Sequence, residues 1–298
     1  MDDTPAIKAS TPGIGGGLHA GPEAPSGKDA AYENFPVGSW LLPAHLRPHI
    51  AKFYRFARAI DDIADSPILR PEEKLERLDG FAEVLRSGEQ RAGFETALLM
   101  RDSLQATAVT DRHCLDLVSA FKQDATKRRY RDWDDLIDYC NRSAAPVGRY
   151  LLDLHGEDRA GYLQSDALCN LLQVLNHLQD CKEDYLLLDR VYIPAPWFDA
   201  AGLHVNSLLD RRLSGPGRRL IDRVLDEAAP LLEPAAELPL VLKDARLCRE
   251  SAVIVRIARR LADKLRRRDP LAARVALSKV EYAACFLGGV VAPRTPVR

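Results

Sequence analysis

Aspartates recur at helical spacing in two places along the chain: Asp61-Asp62-Ile63-Ala64-Asp65 and, much later, Asn176-His177-Leu178-Gln179-Asp180-Cys181-Lys182-Glu183-Asp184. On a helix the i and i+4 members of each set share one face, where their repulsion makes them costly to bury without cations between them. The first set extends upstream through Tyr54 and Arg58, so a guanidinium lies one turn before Asp61 and Asp65 lies one turn after it. In the second, Gln173, Asn176, Asp180 and Asp184 climb one stripe, with Asp180 and Asp184 about 6 Å apart along the axis. Two such helices facing each other make an oxygen-lined cleft. Oxygen ligands with open positions suit Mg²⁺, which prefers octahedral oxygen coordination and bridges carboxylates to substrate phosphates. A diphosphate ester is the natural guest, since the ion neutralises the departing diphosphate and leaves a carbocation in an apolar cavity. A single acidic cluster is usually a solvated helix face. Here there are two, each led by an arginine or an amide and flanked by apolar residues, Ile60, Ile63 and Ala64 in one and Leu172, Val174, Leu175 and Leu178 in the other.

The elements that must position these ladders read as helices throughout. From Trp40 onward apolar residues recur every three or four positions, and alternating strand patterns are nearly absent. Helices are expected over 43–65, 71–87, 91–106, 111–125, 132–155, 159–188, 205–209, 216–236, 239–267 and 271–291, with Pro, Gly and polar punctuation between them. With 298 residues and 46% hydrophobic content, the chain can bury one large core. The reading is an all-α, single-domain bundle with a central cavity over 31–292, after a disordered Gly-, Pro- and Ala-rich leader at 1–30 and before a flexible tail at 293–298.

Lys plus Arg (42) nearly cancels Asp plus Glu (43), so overall charge does not advertise nucleic acid as a partner. The six cysteines form no CxxC pair and no zinc spacing, which fits a reducing cytoplasm. No signal peptide is expected, and the apolar stretch Ala283 to Ala292 is far short of the roughly 20 residues that span a bilayer. The C-terminal helix is expected to pack against the core. Peripheral contact with the inner membrane surface stays open, for that helix and for Arg266-Arg267-Arg268.

Beyond spacing, the words around the ladders resemble the squalene/phytoene synthase family over roughly residues 33–290. Tyr54 to Asp65 is similar to its first aspartate-rich motif, and Asn176 to Tyr185 to its second. Arg190-Val191-Tyr192-Ile193-Pro194 matches a following family element, except that Asp189 stands where a glycine is common. Tyr139 to Gly148 looks like the segment whose small residues let helices approach near the reacting carbons. The resemblance implies that Asp61, Asp65, Asp180 and Asp184 hold Mg²⁺ with Asp62 and Asn176 in support. It also implies that Arg58 and Arg190, with Ser39 and Tyr130, contact the substrate diphosphate, and that Tyr54 and Tyr185 belong to the catalytic set.

The phrase Tyr32 to Pro43 looks most like the hydroxysqualene synthase branch that serves hopanoid synthesis. That branch implies presqualene diphosphate as substrate, water as the group that captures the cation, and hydroxysqualene and diphosphate as products. Its partners would be an upstream synthase and a downstream oxidoreductase of the same pathway. Two alternatives stand beside it: head-to-head condensation of two farnesyl or geranylgeranyl diphosphates, and a catalytically silent helical assembly protein of the same fold. Candidates to handle water or accept a proton are Tyr54, Tyr139, Asn141, His177 and Tyr185. Phe53, Phe56, Phe121, Trp133 and Tyr150 are candidates to line a prenyl tunnel, with core filling an equal explanation.

Overall fold

The computed structural model describes residues 41–291. The expected leader, Ser39, the Glu33 to Pro36 phrase and the tail lie outside the described residues. Among the described residues twelve α-helices follow one another: α1 (Arg47–Asp65), α2 (Pro71–Ser87), α3 (Glu95–Thr107), α4 (Arg112–Asp124), α5 (Trp133–Ser143), α6 (Ala145–Leu154), α7 (Tyr162–Leu188), α8 (Ala195–Ala200), α9 (Gly215–Ala228), α10 (Leu232–Val241), α11 (Ala245–Arg267) and α12 (Lys279–Val290). Among the described residues the only β pairing is an isolated bridge between Arg129 and Val191. The fold is all-α. All six cysteines are free thiols, five of them buried.

α1 shows how one helix serves both core and site. Ile50, Phe53, Phe56, Ile60 and Ile63 are buried along its apolar stripe, and Phe56 meets Phe81 of α2 edge-on at 5.9 Å. Arg58, Asp61 and Asp65 fall on the margin of that stripe, only partly exposed. α7 runs 27 residues, buried along both of its flanks, and so forms the central post of the bundle.

Four expected helices are broken, each by identifiable chemistry. The 132–155 segment divides at Ala144, whose φ of −122° leaves the helical region just before Pro146 at the start of α6. The 216–236 segment ends at Ala228; a 3-10 turn containing Pro230 follows, and α10 then runs through Pro239. α11 begins afresh at Ala245 because the Asp244 carboxylate caps the N–H groups of Arg246 and Leu247. The 271–291 segment is helical only from Lys279, where Ser278 and Glu281 form a capping box. Residues 268–278 therefore form an extended connection, turned by Asp269, which accepts hydrogen bonds from the backbone N–H groups of Leu213, Leu271 and Ala272. The short α8 was not anticipated, and 205–209 is a 3-10 turn.

α12 packs on α11 through small residues. A Cβ at Gly289 would stand 2.7 Å from the backbone nitrogen of Val253, so only glycine permits this approach. Leu287 and Val291 remain exposed. Among the described residues no helix is long and apolar enough to cross a membrane.

Candidate active site

Both ladders open onto one cavity of about 360 Å³. α7 is its seam. Ser165, Leu168, Cys169, Leu172, Gln173, Asn176, Asp180 and Asp184 all line it, so the lining changes from apolar to acidic along a single helix. Leu168 and Asp180 are twelve residues apart, about 18 Å along the axis. The apolar end is closed by Phe53 of α1, Phe121 of α4, Val147 and Leu151 of α6, and Leu238, Leu247 and Ile254 of α10 and α11. α6 comes close enough to do this because Gly148 has no side chain: a Cβ there would lie 2.2 Å from the Ser165 hydroxyl. A buried acid, Glu250, also faces this end.

At the acidic end, arginines neutralise the carboxylates. Arg58 donates to Asp61 and Asp62, each at 2.7 Å, as the i+3 and i+4 spacings predict. Arg190 is 3% exposed and donates to Asp65 at 2.9 Å, to the Tyr192 hydroxyl at 3.2 Å and to the carbonyl of Asp124 at 3.2 Å. Arg274, from the extended 268–278 connection, forks onto Asp180 at 2.6 and 3.2 Å. That connection is pinned along α7, because Gln179 donates to the Val275 carbonyl and Lys182 to the Leu271 carbonyl.

Asp189 explains how Arg190 is aimed inward. It adopts the left-handed region, φ 50° and ψ 32°, at the end of α7. A residue other than glycine costs about 1 kcal/mol there, and Arg129 holds it by binding both its carbonyl and its carboxylate. The turn this permits sends the next residue, Arg190, back over the cavity.

Behind the ladders lies a buried polar wall. Tyr139 donates to Asp124 at 2.6 Å, and Arg190 Nε stands 3.6 Å from the other Asp124 oxygen. Burial pushes the Asp124 carboxyl up to about 6, against the pull of Arg190. His177 stacks on Tyr192 with ring centres 3.4 Å apart. Burial, aided by Arg190, pushes its imidazole down to about 3 and keeps it neutral.

Among the predicted site residues, Tyr54, Arg58, Asp61, Asp65, Asn176, Asp180, Asp184 and Arg190 line the cavity. Asp62 is held by Arg58 beside the lining. Tyr130 is buried behind it, stacked on Tyr192 and edge-on to Tyr139. Tyr185 packs outside, beneath the Arg129 guanidinium. Of the candidate tunnel aromatics, Phe53 and Phe121 line the cavity. Tyr150 stacks behind Phe53, Phe56 packs on Phe81, and Trp133 stacks on Trp197. Asp124 and Arg274 were missed. Asp124 had a signal, since it continues the apolar stripe of Leu117 and Phe121 at helical spacing. Arg274 had none, because it reaches Asp180 across 94 positions from a segment expected to be helical.

The donors facing the cavity suit a hard cation. At the acidic end, the carboxylates of Asp61, Asp65, Asp180 and Asp184 and the amides of Gln173 and Asn176 offer oxygen ligands. Six acids line the cavity (Asp61, Asp65, Asp124, Asp180, Asp184 and Glu250) against three arginines (Arg58, Arg190 and Arg274), so a diphosphate anion needs cations to enter. Among the described residues no three acidic, imidazole or thiol groups stand close enough together to hold an ion as they are. To hold a cation, the carboxylates would have to turn from their arginines.

The comparisons with known proteins agree with this architecture. The chain is 43% identical over 269 residues to the hydroxysqualene synthase of Rhodopseudomonas palustris, covering 90% of this chain and 91% of that protein. It is 45% identical over 259 residues to the hydroxysqualene synthase of Sinorhizobium fredii, covering 87% and 88%. The crystal structure of squalene synthase HpnC from Alicyclobacillus acidocaldarius superposes with a TM-score of 0.70 at 31% identity, covering 80% of this chain and 90% of that one. The family model described as squalene/phytoene synthase matches residues 29–281, which take in both ladders, the Asp189 turn and the Arg274 connection, and the chain belongs to that family of enzymes.

Proposed function

We propose that the enzyme converts presqualene diphosphate and water into hydroxysqualene and diphosphate in an Mg²⁺-dependent reaction. The observation that carries this reading is the continuity of α7, which joins a carboxylate and arginine cluster to an apolar chamber along one face. A prenyl diphosphate has that same division, an anion on a hydrocarbon. The likeness to hydroxysqualene synthases over nine-tenths of the chain supports the choice of substrate and product.

Asp61, Asp65, Asp180 and Asp184, with Asn176 and Asp62, would hold Mg²⁺. The bound ion would supply the positive charge that stabilises the leaving diphosphate. Arg58 and Arg190 bind the diphosphate oxygens, for which the planar guanidinium is suited. The ester C–O bond breaks with its electron pair on diphosphate. The cyclopropylcarbinyl cation then rearranges against the apolar wall, which keeps bulk water away until one molecule adds to it. The new C–O bond forms to water, and one water proton is lost.

Product analysis by mass spectrometry, with presqualene diphosphate, farnesyl diphosphate and NADPH supplied in separate combinations, tests this. The expected result is an oxygenated C30 alcohol and diphosphate from presqualene diphosphate with Mg²⁺, and none with EDTA. Unreacted presqualene diphosphate with folded, Mg²⁺-supplied protein would overturn it. Products from farnesyl diphosphate alone would instead indicate the head-to-head condensation suggested by the structural likeness to squalene synthase HpnC.

A further inference from the structure

A cation formed in an apolar chamber will lose a proton to become an olefin unless a water molecule is held against it. Holding one there takes two or more polar partners. The position of that water is constrained by the chemistry. The carbon that loses diphosphate lies beside the acidic end of α7, so the polar group in question must lie there too. Glu250 does not. The Glu157 carboxylate accepts hydrogen bonds from the backbone N–H groups of Lys243 and Asp244, which sets the start of α11 beside the start of α7. Glu250 is five residues into α11 and thus level with the apolar end.

Of the five groups that the sequence offers for handling water, the structure separates one. Tyr185 and Asn141 stand off the cavity, Tyr185 under Arg129 and Asn141 accepting a hydrogen bond from Asn170 at 2.7 Å. The Tyr139 hydroxyl is spent on Asp124. Tyr54 lines the cavity from α1, across from the α7 seam. His177 lines the cavity between Asn176 and Asp180, and its Nε2 is buried without a hydrogen-bond partner. An orphaned buried nitrogen is costly, and nearly all such atoms in proteins have a partner or a ligand.

Its neighbours make the position specific. The ring stacks on Tyr192 at an interplanar angle of 13°, and the Tyr192 hydroxyl is itself fixed by Arg190. With one face covered, the imidazole offers its edge, where the nitrogens are. Arg190 Nε and one oxygen of Asp124 are likewise buried without hydrogen-bond partners and belong to residues lining the same wall. The two atoms face each other as an ion pair at 3.6 Å, a polar wall that shares the cavity with the His177 nitrogen.

Resting on the hydroxysqualene reading above, we propose that His177 is a positioning residue, its unpartnered ring nitrogen accepting a hydrogen bond from the water that captures the carbocation. The water oxygen gives a lone pair to the cationic carbon, forming the C–O bond of the alcohol. The proton it loses passes out along this hydrogen bond and ends on the departed diphosphate, a base held at the same end of the cavity.

The test is the partition of products from presqualene diphosphate in His177→Phe, which keeps the stack on Tyr192 and removes both nitrogens, and in His177→Asn, which keeps an acceptor. The ratio of C30 alcohol to C30 olefin is read per diphosphate released. The expected result is a fall of at least tenfold in that ratio for His177→Phe, with diphosphate release reduced much less, and an intermediate ratio for His177→Asn. An unchanged ratio in His177→Phe overturns the proposal, because a packing role would lower rate or stability without redirecting the cation. Should His177→Phe fail to fold, His177→Leu is judged by the same ratio. If the parent enzyme makes no alcohol at all, the functional reading fails and takes this one with it. A parent that makes alcohol, beside a variant that makes it equally well, sinks only the role of His177.

Discussion

The two aspartate ladders look alike in one dimension and differ in three. On α1, Asp61 and Asp62 are gripped from within their own helix by Arg58, and Asp65 by an arginine that is 3% exposed and also faces the buried Asp124. On α7, Asp180 is met by Arg274 from an extended connection, a pair in which both side chains are about one-quarter exposed. The first ladder is thus tied into the core of the molecule. The second is covered by a contact that can let go at little cost. The proposed metal cleft would use both, one face built to hold position and one face built to exchange partners.

The largest expected effect treats the ladders as equals. Asp61→Asn and Asp180→Asn should each lower diphosphate release by about 10²–10³-fold, as removal of one group that stabilises the leaving anion typically does. A ladder whose variant keeps more than a tenth of the activity is no part of the ligand set. The difference between them emerges in stability. Arg190→Leu takes from the buried Asp124 its strongest cationic neighbour, leaving the weaker pull of Arg128, and should cost about 3–5 kcal/mol. Arg274→Leu breaks a pair whose side chains are each about one-quarter exposed and should cost about 0–1 kcal/mol. Equal shifts in the urea midpoint would remove the distinction.

A third comparison concerns pH. The Asp124 carboxyl is raised to about 6 in the folded protein, against about 3.9 in an unfolded chain. Below pH 4 both states hold the proton. As pH rises from about 4 to about 6 the unfolded chain releases it first, so this group progressively favours unfolding. The stability of Asp124→Asn relative to the parent should therefore increase over that window, by at most about 3 kcal/mol, and level off above it. A difference that stays flat from pH 4 to 7 in thermal denaturation would show that burial does not raise the Asp124 carboxyl.

Local periodicity made most of this legible. The helices of the ladders, the Arg58 contacts and the apolar flanks all follow from spacings of three and four, which a single segment contains. What escaped depends on contacts between distant segments or on a local break in a helical pattern. Ala144 ends α5 although alanine favours helix, because Pro146 restricts the chain beyond it. The 268–278 connection has apolar residues at helical intervals, yet Asp269 and the Ser278 box pull it open, and Arg274 gains its role only through that opening. Tyr130 and Tyr185 carry the expected residue types in matching motifs, but packing puts one behind the wall and the other outside it. Asp189 was visible as an oddity where glycine is common, and its left-handed backbone gives the reason.

The arginine cover over the carboxylates also bears on how the protein is made. Asp61, Asp65 and Asp180 each find a guanidinium in the chain itself, so folding can finish before any ion or lipid arrives. On the proposed function, loading would be a swap of partners within a finished molecule, the guanidiniums passing from carboxylate to diphosphate as cations take their place. Newly synthesised enzyme could wait, folded and empty, for its substrate.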